Sequence, residues 1–223
     1  MYTIQPMPAP LPQDLIELFR QVETATVGHW HLFGFMDRRI QALVRGKRVV
    51  GTAVTIAIPA SDSTLLHHAT GLLRPGDFPV VDRLGDDRHA CWGGGVTVAA
   101  KASGAVGAVV DGPCTDLAEI EASDFTIWGK GLSPITTRIQ DLGGGMNIPV
   151  SCGGVVVLPG DLVLADESGV LVLRRGEAEA IGRKALEIQQ RGSQREKQVR
   201  DGLARLGELS GASAKVAARV NAA

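Results

Sequence analysis

The sequence predicts an α/β protein with a central, parallel-rich sheet and covering helices, then a β-hairpin segment and a C-terminal helix. Three observations predict it. From Arg48 to Gly129, short β-branched runs alternate with helical stretches, four strands with three helices between them, the signature of a parallel sheet with helices over it. From Pro149 to Arg174, β-rich runs are broken by "PGD" and "ESG", which is antiparallel hairpin material. Beyond Gly176 the chain is charged and amphipathic, as one or two helices would be.

The elements follow in order. "PAPLPQ" is a Pro-rich lead-in to "DLIELFRQV", whose apolar residues fall at helical spacing with Asp14 at the positive end of the helix dipole. "RVVGTAVTIAI", Arg48 to Ile58, is β-branched and bounded by Gly46 and Pro59, so it is a strand. "SDSTLLHHATGLL" is a helix with Ser61 to Ser63 as candidate caps, stopped by "RPGD". "FPVVD" is a short buried strand ending in Asp82, and "GGGVTVAAKASG" a helix closed by Gly104. "AVGAVVDG" is a strand ending in Asp111, "CTDLAEIEAS" a short helix, and "FTIWG" a strand. A single domain is expected, in three parts: an N-terminal helical segment (1–45), an α/β core (46–175) and a C-terminal helical extension (176–223).

The bulk numbers exclude several functions. A chain of 223 residues with 44% hydrophobic content can bury a substantial core. Its net charge of −1 and 4% aromatic content offer neither a field for nucleic acid or anionic membranes nor base-stacking platforms. Apolar runs reach only strand length, short of the roughly 20 residues of a spanning helix. The first residues lack a signal-peptide pattern. Cys91, Cys114 and Cys152 form no CxxC pair and read as small buried side chains in a reducing compartment. A cytoplasmic protein is expected, without nucleic-acid or membrane partners.

Two stretches carry candidate chemistry. Gly93, Gly94 and Gly95 open a helix, where unpaired N–H groups can bind a carboxylate or phosphate. Glycines there also serve tight turns, and no P-loop or GxGxxG pattern follows. Asp116, five residues beyond Asp111, is placed as a helix N-cap unless something else claims it. Ligands on parallel sheets sit at the carboxyl ends of the strands, where both stretches fall. Asp82, Asp86 and Asp87, interleaved with Arg83 and Arg88, read as a solvated loop or as a carboxylate source for a hydrated cation. His29 and His31 form HxH, with both rings on one face if the segment is a strand.

"RPGDFPVVD…CWGGGVTVAAKASGAVGAVVDGPCTDLAEI" resembles the central block of the RraA-like family, and "GGVVVLPGDLVLADESGVLVL" is similar to its later "GVxVxPGDxVxADxxGVxxxP" segment. "STLLHHATGLLRPGD" fits the helix before them. The family includes 4-hydroxy-4-methyl-2-oxoglutarate aldolases and RraA regulators of ribonuclease E, and some members carry an older methyltransferase label. The resemblance runs from about Gly51 to the C-terminal helix. It implies a swivelling β/β/α domain assembled into trimers or hexamers, with sites near subunit contacts. It also implies a class II-type lyase using magnesium or manganese. That lyase would release pyruvate from a 4-hydroxy-2-oxo acid through a metal-stabilised enolate, or decarboxylate oxaloacetate. By that resemblance Gly93, Gly94, Gly95 and Val96 present backbone amides to a small oxo-acid, and Asp116 holds the cation, largely through waters.

Two positions depart from the family pattern. Its arginine is Thr115 here, leaving one hydroxyl for the substrate, and its glutamate is Gly94. A guanidinium offers a bidentate fork that threonine lacks, so Arg83 and Arg88 are the expected substitutes at the catalytic centre. The competing class is a non-catalytic RraA-like binding or regulatory protein, which the loss of the arginine favours.

Overall fold

The computed structural model describes residues 1–44 and 47–220. Gly46 and the expected boundary between segment and core lie outside the described residues. The elements run β1 (Tyr2–Ile4), α1 (Gln13–Phe19), α2 (Thr24–Val27), β2 (Gln41–Ala42), β3 (Val49–Ala57), α3 (Thr64–Thr70), β4 (Asp77–Asp82), α4 (Gly94–Ala102), β5 (Ala108–Val110), α5 (Leu117–Ala122), β6 (Ile127–Gly129), β7 (Gly144–Met146), β8 (Val150–Cys152), β9 (Val155–Val157), β10 (Leu162–Asp166), β11 (Gly169–Leu173), α6 (Arg175–Arg200), α7 (Leu206–Leu209) and α8 (Ala212–Val220).

Nine strands form one mixed sheet in which β3, β4, β5 and β6 are parallel neighbours. The margins are antiparallel. The long β3 pairs with β4 along one side, and along the other with β10 through its first half and β7 through its last residues. The hairpin β10–β11 extends that side, and β8–β9 form a separate small ribbon.

Period-two alternation distributes the core. Val54 and Ile56 of β3 point to one face with Leu65, Leu66, Trp92, Ile120 and Ile127. Ala53 and Ala57 point to the other with Phe78, Val80, Trp128 and Val163. On β10, Leu162 and Leu164 turn away from Val163 to pack with Phe19, Leu171 and Ala178 under α1 and α6. That alternation is why a single sheet supports three clusters.

Several expectations are corrected. The N-terminal segment is not only helical: β1 joins β7 in parallel and β2 joins β6. Such short edge strands draw their stability from a partner that is distant in sequence. The helix at Thr64–Thr70 starts in the expected cap stretch, with Ser63 in the N-cap position but without a side-chain cap bond. Asp62 does that work, its Oδ1 accepting from the Thr64 N–H and hydroxyl at 2.9 and 2.5 Å. His29 and His31 follow α2 in a turn, so the HxH segment is not a strand. Gly104, at φ +94°, closes α4 as expected.

The loop after β4 is not a solvated run. Arg83 is fully buried, with its guanidinium 2.8 Å from Asp86 Oδ2. Asp86 also receives the His89 ring nitrogen at 3.1 Å. Burial works against ionisation of Asp86, but hydrogen bonds from His89 and Arg83 outweigh it and its pKa is lowered. Asp82 accepts the N–H groups of Leu84 and Ser151 at 2.7 and 3.1 Å. These charges bind the loop to the core. Asp87 adds no ion pair among the described residues.

The first half of α6 is held to the body, burying Ala178, Gly182 and Ala185 and bonding Gln21 O and the Glu23 N–H through Gln189, while α7 and α8 bury no residue. The stretch from Glu177 to Leu209, read as one or two helices, holds two, α6 and α7, and α8 follows it. Among the described residues no helix is long and apolar enough to cross a membrane.

Candidate functional site

The loops after β3, β4 and β5 each lead into a helix, and those three loop-to-helix junctions meet at the carboxyl ends of the parallel strands. Between them lies a cleft of about 260 Å³, bordered by Ser63 and His67, by Gly93 to Val96 without Gly94, by Thr115 and Asp116, and by Thr136 to Ile139. That volume is at the small end of ligand pockets, which run from roughly 300 Å³ upward. It suits a small acid better than a nucleotide.

Trp92 anchors the junction before α4. Its indole is fully buried and stacks on Phe125 with centroids 6.1 Å apart. Its Nε1–H donates to Thr97 Oγ1 at 2.9 Å, and that hydroxyl donates to the Gly93 carbonyl at 2.9 Å. The turn preceding the helix is thereby fixed to the first turn of the helix. The Thr115 N–H bonds the Trp92 carbonyl at 2.9 Å, and the Cys114 N–H bonds Gly131 O at 2.9 Å. Two segments far apart in sequence are thus laid side by side.

Three glycines serve three purposes. A Cβ on Gly93 would stand 2.4 Å from Asp116 Oδ2, so only glycine lets that carboxylate approach. On Gly94 it would stand 1.8 Å from Glu119 Oε2, the place where the Glu119 side chain folds over the helix start. On Gly95 it would meet nothing within 4 Å. Packing does not require glycine there, but a side chain would intrude on the cleft.

Asp116 stands at the N-cap position of α5, as expected, but does not act as a cap. Its backbone is left-handed (φ 52°) and it makes no side-chain cap bond, whereas cap residues ordinarily sit in the β region. The left-handed turn sends the carboxylate back to α4, where Oδ2 accepts the Gly94 N–H at 3.2 Å. Oδ1 receives only a long bond from the Thr115 hydroxyl, 3.3 Å. The N–H groups of Gly95 and Val96, in the first turn, have no intrahelical acceptor.

The structure therefore brings together Gly93, Gly94, Gly95, Val96, Thr115 and Asp116. It does not bring Arg83 or Arg88 to the cleft. Arg83 is turned into the core, where it bonds Ala60 O and Asp86. Arg88 meets Ser133 through its backbone carbonyl, which accepts the hydroxyl at 2.8 Å. The cations that do border the cleft are Arg138 and, when protonated, His67. Sequence reasoning missed both, along with Glu119. Arg138 lies in a segment of loop composition that joins the site only through bridges Ala90↔Thr136 and Asp62↔Arg138. The position of His67 on the helix after β3 was the one available signal.

Cys91 borders the cleft too, but burial pushes its thiol up to about 11, against a partial opposing pull from Arg83. Burial raises Cys114 and Cys152 further, and all three are free and buried. A neutral thiol is a poor nucleophile and a poor metal ligand. Among the described residues no three His, Cys, Asp or Glu side chains converge as a ligand cage. Asp116 presents one outward carboxylate with lone pairs to spare. That donor fits a hard cation that keeps most of its waters and does not fit a tetrahedral zinc site.

Residues 24–172 match the family model RraA-like, described as Aldolase/RraA. A Halalkalibacterium halodurans protein named "Putative 4-hydroxy-4-methyl-2-oxoglutarate aldolase" is 33% identical over 190 residues, covering 84% of this chain and 90% of the relative. The crystal structure of Streptomyces coelicolor RraAS2, described as an unusual member of the RNase ES inhibitor RraA protein family, matches with TM-score 0.73 and 30% identity over 83% of this chain and 98% of that one. The RNA-processing inhibitor RraA from Thermus thermophilis matches with TM-score 0.62 and 25% identity, covering 69% and 93%.

Proposed function

The chain belongs to the RraA-like family, and from that premise we propose that it is a divalent-cation-dependent lyase releasing pyruvate from a 4-hydroxy-2-oxo acid. The observation that carries this reading is the Asp116 carboxylate, set in a left-handed turn 3.2 Å from the Gly94 N–H at the mouth of a small cleft. The name of the Halalkalibacterium relative supports the substrate class.

In this reading Asp116 tethers magnesium or manganese, with waters completing the shell. When bound, the cation supplies Lewis-acid stabilisation of negative charge developing on the C2 oxygen. The Gly95 and Val96 N–H groups hold the C1 carboxylate, assisted by the dipole of α4. Thr115 orients the oxo group through its hydroxyl. The C4 hydroxyl gives up its proton to a group bordering the cleft, either His67 or Asp116. The C3–C4 bond breaks, C4 leaves as the carbonyl carbon of the second product, the electron pair moves toward C2, and C3 takes the proton back from that same group to complete pyruvate. No lysine borders the cleft among the described residues, so the reading has no Schiff base in it. Oxaloacetate decarboxylation would use the same groups.

The test is pyruvate release from 4-hydroxy-4-methyl-2-oxoglutarate with added magnesium or manganese, and then with chelator. Turnover that the chelator abolishes is expected. No turnover at any cation concentration would overturn the reading.

A second reading, a non-catalytic regulator, is favoured by one observation: Thr115, beside Asp116, offers a substrate oxygen a hydroxyl and no charge. The description of the Thermus protein as an inhibitor and that of RraAS2 as an unusual member of an inhibitor family point the same way. Thermal melting separates the two. A ligand at 100 times its Kd adds about 2.7 kcal/mol, roughly 5–10 °C for a chain of this size. A melting temperature unmoved by magnesium plus oxalate would favour the regulator. Assembly into trimers or hexamers also belongs to the proposal. It is supported by the projecting C-terminal arm, on which Leu203, Leu206, Val216 and Val220 are 61–76% exposed. A cytoplasmic location is supported by the three free thiols.

A further inference from the structure

We propose that Arg138 grips the distal carboxylate of the substrate and makes the cleft selective for dicarboxylic oxo-acids. The inference rests on the lyase reading and adds to it a residue that sequence patterns do not indicate.

Arg138 is held in place by its backbone while its side chain is uncommitted. Its N–H donates to Ser61 O at 2.8 Å, and its carbonyl accepts the Ser63 N–H at 2.9 Å. Among the described residues its guanidinium makes no ion pair or hydrogen bond, whereas Arg74, Arg83 and Arg174 are each paired with an aspartate. The acid nearest in the fold, Asp62, does not neutralise it. Oδ1 of Asp62 accepts from Thr64 and the Gln140 N–H, and Oδ2 accepts the Leu142 N–H at 2.8 Å. The other charged or titratable side chains bordering the cleft are Asp116 and His67, apart from the neutral thiol of Cys91. The cleft thus has a cation with no partner among the described residues.

Its position suits the far end of a diacid. Thr136 pairs with Ala90, close to the glycine turn, while Arg138 pairs with Asp62 beside α3. Two extended residues at about 3.3 Å each separate them, comparable to the span between the carboxyl groups of a five-carbon diacid. The start of α4 takes one carboxylate and the guanidinium takes the other, through a charge-assisted bidentate contact. Thr115, also bordering the cleft, contributes no charge to compete with it.

The test is calorimetric titration, in magnesium, of pyruvate and of 2-oxoglutarate, which has the second carboxylate but no C4 hydroxyl to start cleavage. Wild type, Arg138→Met, Arg138→Lys and Asp116→Asn are compared. Wild type is expected to bind 2-oxoglutarate at least tenfold more tightly than pyruvate. Arg138→Met should weaken 2-oxoglutarate about 10- to 100-fold and leave pyruvate within twofold, and Arg138→Lys should restore part of the difference. A wild type with no diacid preference overturns the assignment, as does an Arg138→Met variant that loses both acids equally or neither. Those outcomes leave the lyase reading standing if Asp116→Asn abolishes pyruvate binding. Failure of both acids to bind wild type overturns the two together.

Discussion

Replacing Asp116 separates its place in the fold from its place in the chemistry, because asparagine and alanine perturb different things. Asparagine tolerates the left-handed region as aspartate does, and its Oδ1 can still accept the Gly94 N–H. What it lacks is negative charge at the start of α4, worth about 0.3–1 kcal/mol on an exposed helix end. At about 2–4 °C per kcal/mol for a chain of this length, Asp116→Asn should melt within about 4 °C of wild type. Alanine adds the left-handed backbone penalty, about 1 kcal/mol, and the lost hydrogen bond, about 1 kcal/mol, so Asp116→Ala should melt roughly 5–10 °C lower. The activities should not follow that order. Both variants lose the cation tether, whose electrostatic contribution is several kcal/mol, at a factor of ten for each 1.36 kcal/mol. Each is therefore expected to lose about 10³-fold or more in kcat/KM for pyruvate release, and manganese affinity measured by electron paramagnetic resonance should fall with it. An Asp116→Asn enzyme keeping more than a tenth of wild-type kcat/KM with unchanged metal dependence would refute the reasoning. So would activities that simply track melting temperature.

Three further outcomes follow from the same geometry. Gly95→Ala meets no atom within 4 Å and should leave the melting temperature unchanged or raise it by up to about 0.5 kcal/mol equivalent, while KM for the oxo-acid rises, since the new methyl borders the cleft. Asp62, lowered to about 2, is a pH-sensitive anchor: burial opposes its ionisation, but hydrogen bonds from Thr64, Gln140 and Leu142 outweigh it. Its contribution, on the order of 1–2 kcal/mol after allowing for solvent screening, is present above the unfolded value near 3.8 and lost as pH falls toward 2. Asp62→Asn should therefore lower stability at pH 7 and flatten the acid limb of the pH–stability curve between those values, as read by urea denaturation. The Cys91 thiol, raised to about 11 by burial, should resist iodoacetamide in the native protein at pH 8, and Cys91→Ser should retain activity; rapid alkylation with loss of turnover would show the thiol to be open and engaged.

Much of the fold was legible in local pattern. The alternation that places β3, α3, β4, α4, β5, α5 and β6 reads directly from β-branched runs, glycine stops and helical spacing, because each signal is complete within about ten residues. The β10–β11 hairpin was legible for the same reason, since "ESG" is its turn, whereas "PGD" only separates β9 from β10 and the β8–β9 hairpin turns at Gly153 and Gly154. The strands missed, β1, β2 and β7, are only two or three residues long and owe their conformation to partners more than 80 residues away. The loop after β4 looked solvated because charge counts say nothing of whether Arg83 faces water or Asp86.

For the site, the sequence by itself determined the chemistry at hand: a bare helix start, one aspartate at the next strand end, and no arginine beside it. Only the tertiary structure decided what those groups meet. The left-handed turn at Asp116, which aspartate tolerates but its sequence neighbours do not announce, points its carboxylate at Gly94, and the buried stack of Trp92 on Phe125 holds the two segments close enough for that to matter. The cation came from neither predicted arginine but from Arg138, carried to the cleft by backbone bonds to Ser61 and Ser63. Residue types and spacings encode local conformation, whereas the direction of a side chain across a cleft depends on packing between segments that share no sequence neighbourhood.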